Sequence, residues 1–159
     1  MTRTNQYDNL NRLTNLTWKV GSTVIASFSY QYNSANQPVT NTLADASYWV
    51  YGYDALGQVT SGKRYWSDGT PVAGQQFQYT FDEIGNRKTA AAGGDQSGSG
   101  FHTANYGANL LNQYTNRDIS GYVSLLGTAN PDATVTCRLA TIRAPRPLAT
   151  ATIIGANCP

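Results

Sequence analysis

Few residues in this sequence carry the chemistry that catalysis needs. His102 is the only histidine, so neither a two-histidine metal site nor a histidine dyad can be assembled. It follows a Gly/Ser-rich stretch, residues 90–100, that reads as a flexible polar loop, and itself reads as a solvated loop residue. Cys137 and Cys158 are the only thiols, a pair compatible with one disulfide in an oxidising compartment or with two free thiols. Asp8, Asp54 and Asp82 offer carboxylates for cation binding or for general acid and base work. Each, however, occupies the same place in a recurring segment, where turn chemistry accounts for an acidic residue without catalysis. The sequence contains no P-loop, no Gly-x-Ser-x-Gly elbow and no dinucleotide fingerprint. It therefore reads as non-catalytic, with no cofactor and no metal.

The recurring segment is eight residues long and returns five times. Its copies begin Tyr7-Asp8-Asn9-Leu10-Asn11-Arg12-Leu13-Thr14, Tyr32-Asn33-Ser34-Ala35-Asn36-Gln37, Tyr53-Asp54-Ala55-Leu56-Gly57-Gln58, Phe81-Asp82-Glu83-Ile84-Gly85-Asn86 and Ala108-Asn109-Leu110-Leu111-Asn112-Gln113. The second position is always Asp or Asn, whose side chain accepts a hydrogen bond from the backbone two residues on and so opens a turn. The fifth is Asn11, Asn36, Gly57, Gly85 or Asn112, the residue types that tolerate positive φ, which predicts a left-handed residue closing the turn. The fourth is apolar in every copy and is expected to fold back onto the sheet as a cap. The repeats recur at intervals of 21 to 28 residues, a spacing that suits one hairpin each.

The flanks read as strand. Ala26, Phe28, Tyr30 and Tyr32 alternate with Ser27, Ser29 and Gln31. The same alternation runs through Trp49, Tyr51 and Tyr53, and through Phe77, Tyr79 and Phe81. Period two, with aromatics on one face and small polar residues on the other, describes half-buried antiparallel strands. Gly21-Ser22, Ser67-Asp68-Gly69 and Gly93-Gly94 supply a second set of turns between the motifs. The fold class expected is all-β, an antiparallel sheet of successive hairpins with an irregular C-terminal tail.

The pattern Tyr-Asp-x-x-Gly-(Arg/Gln)-(Leu/Val)-Thr resembles the YD repeat of bacterial RHS (rearrangement hotspot) proteins, also found in the C components of insecticidal toxin complexes and in teneurins. Residues 7–14 and 53–60 match it best. The second copy departs by Asn33 and by an apparent insertion of Pro38; the fifth lacks its leading aromatic, which Tyr106 is expected to supply. The resemblance spans residues 1–115 and implies strands of a long sheet that spirals into a hollow shell. Such a shell encloses a C-terminal toxin or other cargo, or supports cell-surface recognition. Partners implied are neighbouring repeats and a cargo domain, in an extracellular or cell-surface setting.

Composition bounds the remaining possibilities. Charged residues make up 13% of the chain, Tyr accounts for 11 of its 159 residues, and the net charge is +2. That charge is too small to argue for nucleic acid, and no apolar run approaches transmembrane length. The first residues lack an apolar signal segment, and the chain starts inside a repeat, as a piece of a longer array would. Residues 116–136 read as the start of a following β module. Residues 137–159 lose all alternation and read as an irregular, possible frame-shift tail. Trp18, Trp49 and Trp66 are candidate glycan contacts, because indoles stack on sugar rings; the same rings suit the wall of a repeat sheet. Three functions follow: a scaffold or encapsulating-shell fragment, a glycan-binding surface module, or a degenerate remnant without independent function. Unpaired sheet edges predict that the isolated chain self-associates.

Overall fold

The computed structural model describes residues 1–118 and, beyond them, two short strands. In chain order the strands are β1 (Thr2–Tyr7), β2 (Leu13–Val20), β3 (Thr23–Tyr32), β4 (Pro38–Leu43), β5 (Tyr48–Tyr53), β6 (Val59–Tyr65), β7 (Pro71–Phe81), β8 (Arg87–Gly93), β9 (Phe101–Ala108) and β10 (Tyr114–Arg117). A two-residue parallel pair, β11 (Ser124–Leu125) with β12 (Thr152–Ile153), completes the set. The remainder of the expected 116–136 module and of the 137–159 tail, Cys137 and Cys158 included, lies outside the described residues.

Strands β1 to β10 form one sheet in strict sequence order, every neighbour antiparallel. The motif turns join β1 to β2, β3 to β4, β5 to β6, β7 to β8 and β9 to β10. In an up-and-down meander all five must fall along the same end of the sheet. The other connections return at the opposite end.

The five motif hairpins share one register. The first motif residue faces the seventh: Tyr7 with Leu13, Tyr32 with Pro38, Tyr53 with Val59, Phe81 with Arg87, Ala108 with Tyr114. One step further from the turn, Gln6 faces Asn15, Gln31 faces Thr40, Gly52 faces Ser61, Thr80 faces Thr89 and Gly107 faces Asn116. The eighth motif residue is skipped each time. The motif therefore encodes a turn plus a β-bulge, which adds local right-handed twist beside every turn. Pro38 is not an insertion: it holds the seventh place that Leu13 and Val59 hold elsewhere. Beside a bulge and outside the β4–β5 ladder, which begins at Thr40, the missing N–H of a proline is tolerated.

Register also settles the faces, because directly opposed residues share one. Tyr30 faces Asn41, which faces Trp49; Tyr51 faces Gly62, which faces Phe77, then Ala92, then His102. The alternating aromatics of β3, β5 and β7 thus make one continuous face. With a single layer, that face stays half-buried: among the described residues only Val72, Ala91 and Ala104 are buried apolar side chains.

One segment differs from expectation, and one strand is irregular. Residues 90–100 read as a flexible loop, but β8 runs through Gly93 and a tight turn follows. Asp95 N–H donates to Ser99 O at 2.7 Å and Gly98 N–H to Asp95 O at 3.1 Å. An Asp with a Gly three residues on closes the same turn as the motif, without the flanking aromatic. In β7, pairing jumps from Lys63–Gln76 to Tyr65–Pro71, so the strand arches outward. Gln76, 1% exposed, bridges the arch by donating to Arg64 O at 2.6 Å and Val72 O at 3.2 Å.

Gly57 lies at φ +81°, and a methyl there would sit 3.0 Å from Gln37 Nε2. Gly57→Ala is expected to cost about 1–2 kcal/mol, from left-handed strain alone, read as a lowered urea midpoint with unchanged slope.

Candidate functional site

The row of five turns is the most elaborated surface of the molecule. In each, the second residue closes the turn twice with its backbone. Asp8 N–H donates to Arg12 O at 3.0 Å and Asn11 N–H to Asp8 O at 3.0 Å; Asn33, Asp54, Asp82 and Asn109 repeat both bonds at 2.9–3.1 Å. Its side-chain Oδ1 then accepts two further backbone N–H groups. For Asp54 the donors are Leu56 and Gln58, both at 2.9 Å, and for Asp82 Ile84 at 3.1 Å and Asn86 at 2.7 Å. Asp8, Asn33 and Asn109 do the same. Four hydrogen bonds converge on one residue, which is why the second position admits only Asp and Asn.

The fifth residue takes positive φ in all five copies: Asn11 58°, Asn36 63°, Gly57 81°, Gly85 90° and Asn112 60°. The fourth does not cap the sheet. Leu10, Leu56, Ile84 and Leu111 are 67%, 71%, 69% and 76% exposed. The fourth residue sits within the turn itself, enclosed by the backbone hydrogen bonds that close it, and its side chain projects to solvent there.

The sixth residue, which sequence reasoning passed over, links the turns. Within its own turn it satisfies the second residue's remaining atom: Arg12 Nε to Asp8 Oδ2 at 2.7 Å, Asn33 Nδ2 to Gln37 Oε1 at 2.7 Å, Asn86 Nδ2 to Asp82 Oδ2 at 2.9 Å, Asn109 Nδ2 to Gln113 Oε1 at 3.1 Å. It also reaches the fifth residue of the next turn. Arg12 Nη1 donates to Asn36 Oδ1 at 2.9 Å and Asn86 Nδ2 to Asn112 Oδ1 at 3.3 Å. Where the next fifth residue is Gly57 or Gly85, Gln37 Nε2 and Gln58 Nε2 occupy the space a methyl would need, at 3.0 and 3.2 Å. Asn at position five is therefore a receiver and Gly a vacancy; both fit the neighbour's side chain. The matching of polar types at positions two, five and six was the available signal.

The leading tyrosines tie repeats together on the aromatic face. Tyr32 donates its hydroxyl to Leu13 O at 2.8 Å, and Tyr53 donates to Pro38 O at 2.7 Å, each the seventh residue of the preceding repeat. In the fifth repeat Ala108 has no ring. Its cross-strand partner Tyr114, not Tyr106, takes over, accepting from the Arg87 N–H at 2.9 Å. Tyr106 instead packs on Tyr114, with centroids 5.5 Å apart. Arg12 lies over Tyr32 at 4.8 Å and Arg87 over Tyr106 at 5.9 Å, adding cation–π contacts to the same seams, while Arg87 also lies over Tyr79 within its own hairpin at 4.9 Å.

The three indoles do not form one platform. Trp18 on β2 packs under Arg3 at 5.5 Å, and Trp49 on β5 stacks between Tyr51 at 6.4 Å and Phe77 at 6.1 Å. With β3 and β4 between them, their strands stand about 14 Å apart. Trp66 lies beyond β6, 46% exposed, beside Arg64 at 6.0 Å. His102 belongs to β9 rather than to a loop, facing Ala92 across the ladder. Asp54 and Asp82 sit in turns two strands apart, about 10 Å, too far to share a proton or cation. Among the described residues no three His, Cys, Asp or Glu side chains gather into a metal-binding group. Among the described residues the arrangement holds backbones in register.

A second polar cluster forms at the opposite end. Fully buried Ser47 donates its hydroxyl to Asp45 Oδ1 at 2.6 Å and accepts from Arg64 Nη2 at 2.8 Å, while Arg64 Nη1 donates to Gln75 Oε1 at 3.1 Å. It ties β6 to the β4–β5 connection and to the β7 arch.

Comparison with known proteins gives a fold and no family. No protein-family model matches the chain, and no curated protein is found to resemble it. Among solved structures, the crystal structure of TcdB2-TccC3-Cdc42 is similar, with a TM-score of 0.59 over 70% of this chain at 17% identity. The matched part is 6% of that chain's length. The likeness is one of fold alone: an open antiparallel β sheet shared with a small part of that structure.

Two outcomes are expected. Asn33→Ala, which strips two backbone N–H groups of their acceptor, should cost about 1–2 kcal/mol. Asn33→Asp, which keeps Oδ1, should cost clearly less in the same urea titration. The turn carboxylates also set an acid limit. Asp8 is held below its ordinary range chiefly by the Arg12 backbone N–H, Asp82 by the Asn86 side chain and Asp95 by the Ser97 hydroxyl. Lowered folded values mean stability in place above the unfolded carboxylate value of about 4 and lost as pH falls through the depressed values. Melting temperature should hold between pH 7 and 5 and drop below pH 4.

Proposed function

We propose that this chain is a scaffold segment, one stretch of an encapsulating β wall of the RHS type, and that it does no chemistry of its own. One observation carries the reading: neighbouring repeats meet in the same strand register at every seam, and the recurring polar residues of the motif are spent on closing turns and reaching the next repeat. The fold likeness to TcdB2-TccC3-Cdc42 supports it, and since this chain matches only a small part of that structure, cargo and setting are part of the proposal. The cargo is a toxin or other domain C-terminal to the repeats, and the setting is a secreted or cell-surface protein. The half-buried aromatic face serves as the wall's packing surface.

Exposed Trp66 favours a second reading, a glycan-binding surface, since an indole with one open face can stack on a sugar ring. A glycan array probed with the purified chain separates the two. The scaffold reading expects no glycan retained above background; specific retention abolished by Trp66→Ala would overturn it in favour of recognition.

A further inference from the structure

Among the described residues, the seams inside the sheet end in unmatched halves at its two outer edges. Four seams join one repeat to the next, and each uses the same pairing: Asn15 with Ser29, Thr40 with Val50, Ser61 with Gln78, Thr89 with Asn105. In motif terms, the residue just after the bulge always faces the residue three before the leading aromatic. Each internal strand is at least partly buried, whereas β1 and β10 are exposed along their whole length. Neither edge strand contains a proline, the residue that most simply blocks edge pairing.

The first repeat carries the receiving half of a seam. Tyr7 is 58% exposed, and its hydroxyl accepts from Asn5 Nδ2 at 3.1 Å but donates to no described residue. Asn11 stands at φ 58° like Asn36 and Asn112, yet its Oδ1 alone among these three receives no sixth-position donor among the described residues. The last repeat carries the giving half. Gln113 uses Oε1 within its turn, which leaves Nε2 to reach outward, and the Tyr114 carbonyl stands at the seventh position. Polarity agrees as well: β1 runs toward the turn row and β10 away from it, so β10 laid beside a second β1 is antiparallel.

We propose that a second copy of this chain docks on the β1 edge through its own β10, continuing the sheet in trans. In this contact Asn116 faces Thr4 of the next copy, Tyr7 donates to the Tyr114 carbonyl and Gln113 Nε2 donates to Asn11 Oδ1. The inference rests on the repeat geometry and is independent of the scaffold role. Such a contact is head-to-tail, so it adds copies without closing into a dimer.

The test uses the full chain in a Cys137→Ser/Cys158→Ser background. Sedimentation velocity over a concentration series should show mass rising past the dimer. The double variant Tyr7→Phe/Asn11→Gly keeps the ring and the left-handed backbone but removes both hydrogen bonds, and should weaken association about ten- to thirty-fold. Mild oxidation of Thr4→Cys/Asn116→Cys should give a ladder of disulfide-linked oligomers. Gln6→Cys/Asn116→Cys, offset by two residues, should give none, because its Cα separation would be about 7–8 Å. A folded monomer at every concentration, or equal cross-linking by the in-register and offset pairs, would overturn the proposal. Either result leaves the glycan-array comparison, and the scaffold reading it tests, untouched.

Discussion

A single oxygen atom organises each repeat. The Oδ1 of the second motif residue accepts two backbone N–H groups while that residue's own N–H and C=O close the turn around it. The consequence runs outward in steps. The turn forces the fifth residue into the left-handed region, the left-handed residue sets the strands six residues apart, and the bulge that follows fixes which side chains meet across the hairpin. Remove the oxygen and the turn loses the donors' partner, the register its anchor, and the aromatic face its alignment. Few single side chains in a β protein have so many dependents.

Among the described residues no second layer helps. Sheets commonly bury one face against another sheet or a helix, but here the described sheet has a few buried apolar side chains and a broad, half-buried aromatic face. Stability is therefore collected sideways, from seam to seam, as in other repeat architectures where each unit contacts only its neighbours. Tyrosine suits this task because its ring covers the adjacent strand while its hydroxyl reaches that strand's backbone. The sixth motif residue does the equivalent along the turn row. Both act across repeats, and both are short-range, so strain or loss at one seam is felt first by the two repeats that share it.

Much of this was legible in the sequence, and the reasons are local. The all-β class, the hairpins and the shared aromatic face follow from period-two alternation, since each strand advertises its own two sides. The turn row was legible because Asp or Asn at position two and Gly or Asn at position five each have one dominant physical reason to be there. The position-four residues were misjudged: an apolar type suggested burial, whereas their direction is set by backbone geometry that composition does not reveal. Residues 90–100 misled for the opposite reason, since Gly and Ser suggested slackness while Asp95 alone imposed a tight turn. Pro38 looked like an insertion because the bulge that equalises the copies is invisible until strands are paired. The cross-repeat role of Arg12, Gln37, Gln58 and Asn86 depends on neighbours 20 or more positions away, and sequence spacing shows no such contact.

The equality of the seams bears on how such a chain changes over generations. At each of the four, the same motif offset meets the same partner offset, whatever the length of the connection at the far end. Cutting out any one two-strand unit, or copying it, leaves a junction in the same register as those already present. Unequal crossing-over between similar repeats would thus produce proteins that still fold, differing only in the number of units. The array's length becomes a heritable quantity that can drift without the strand register having to be reinvented.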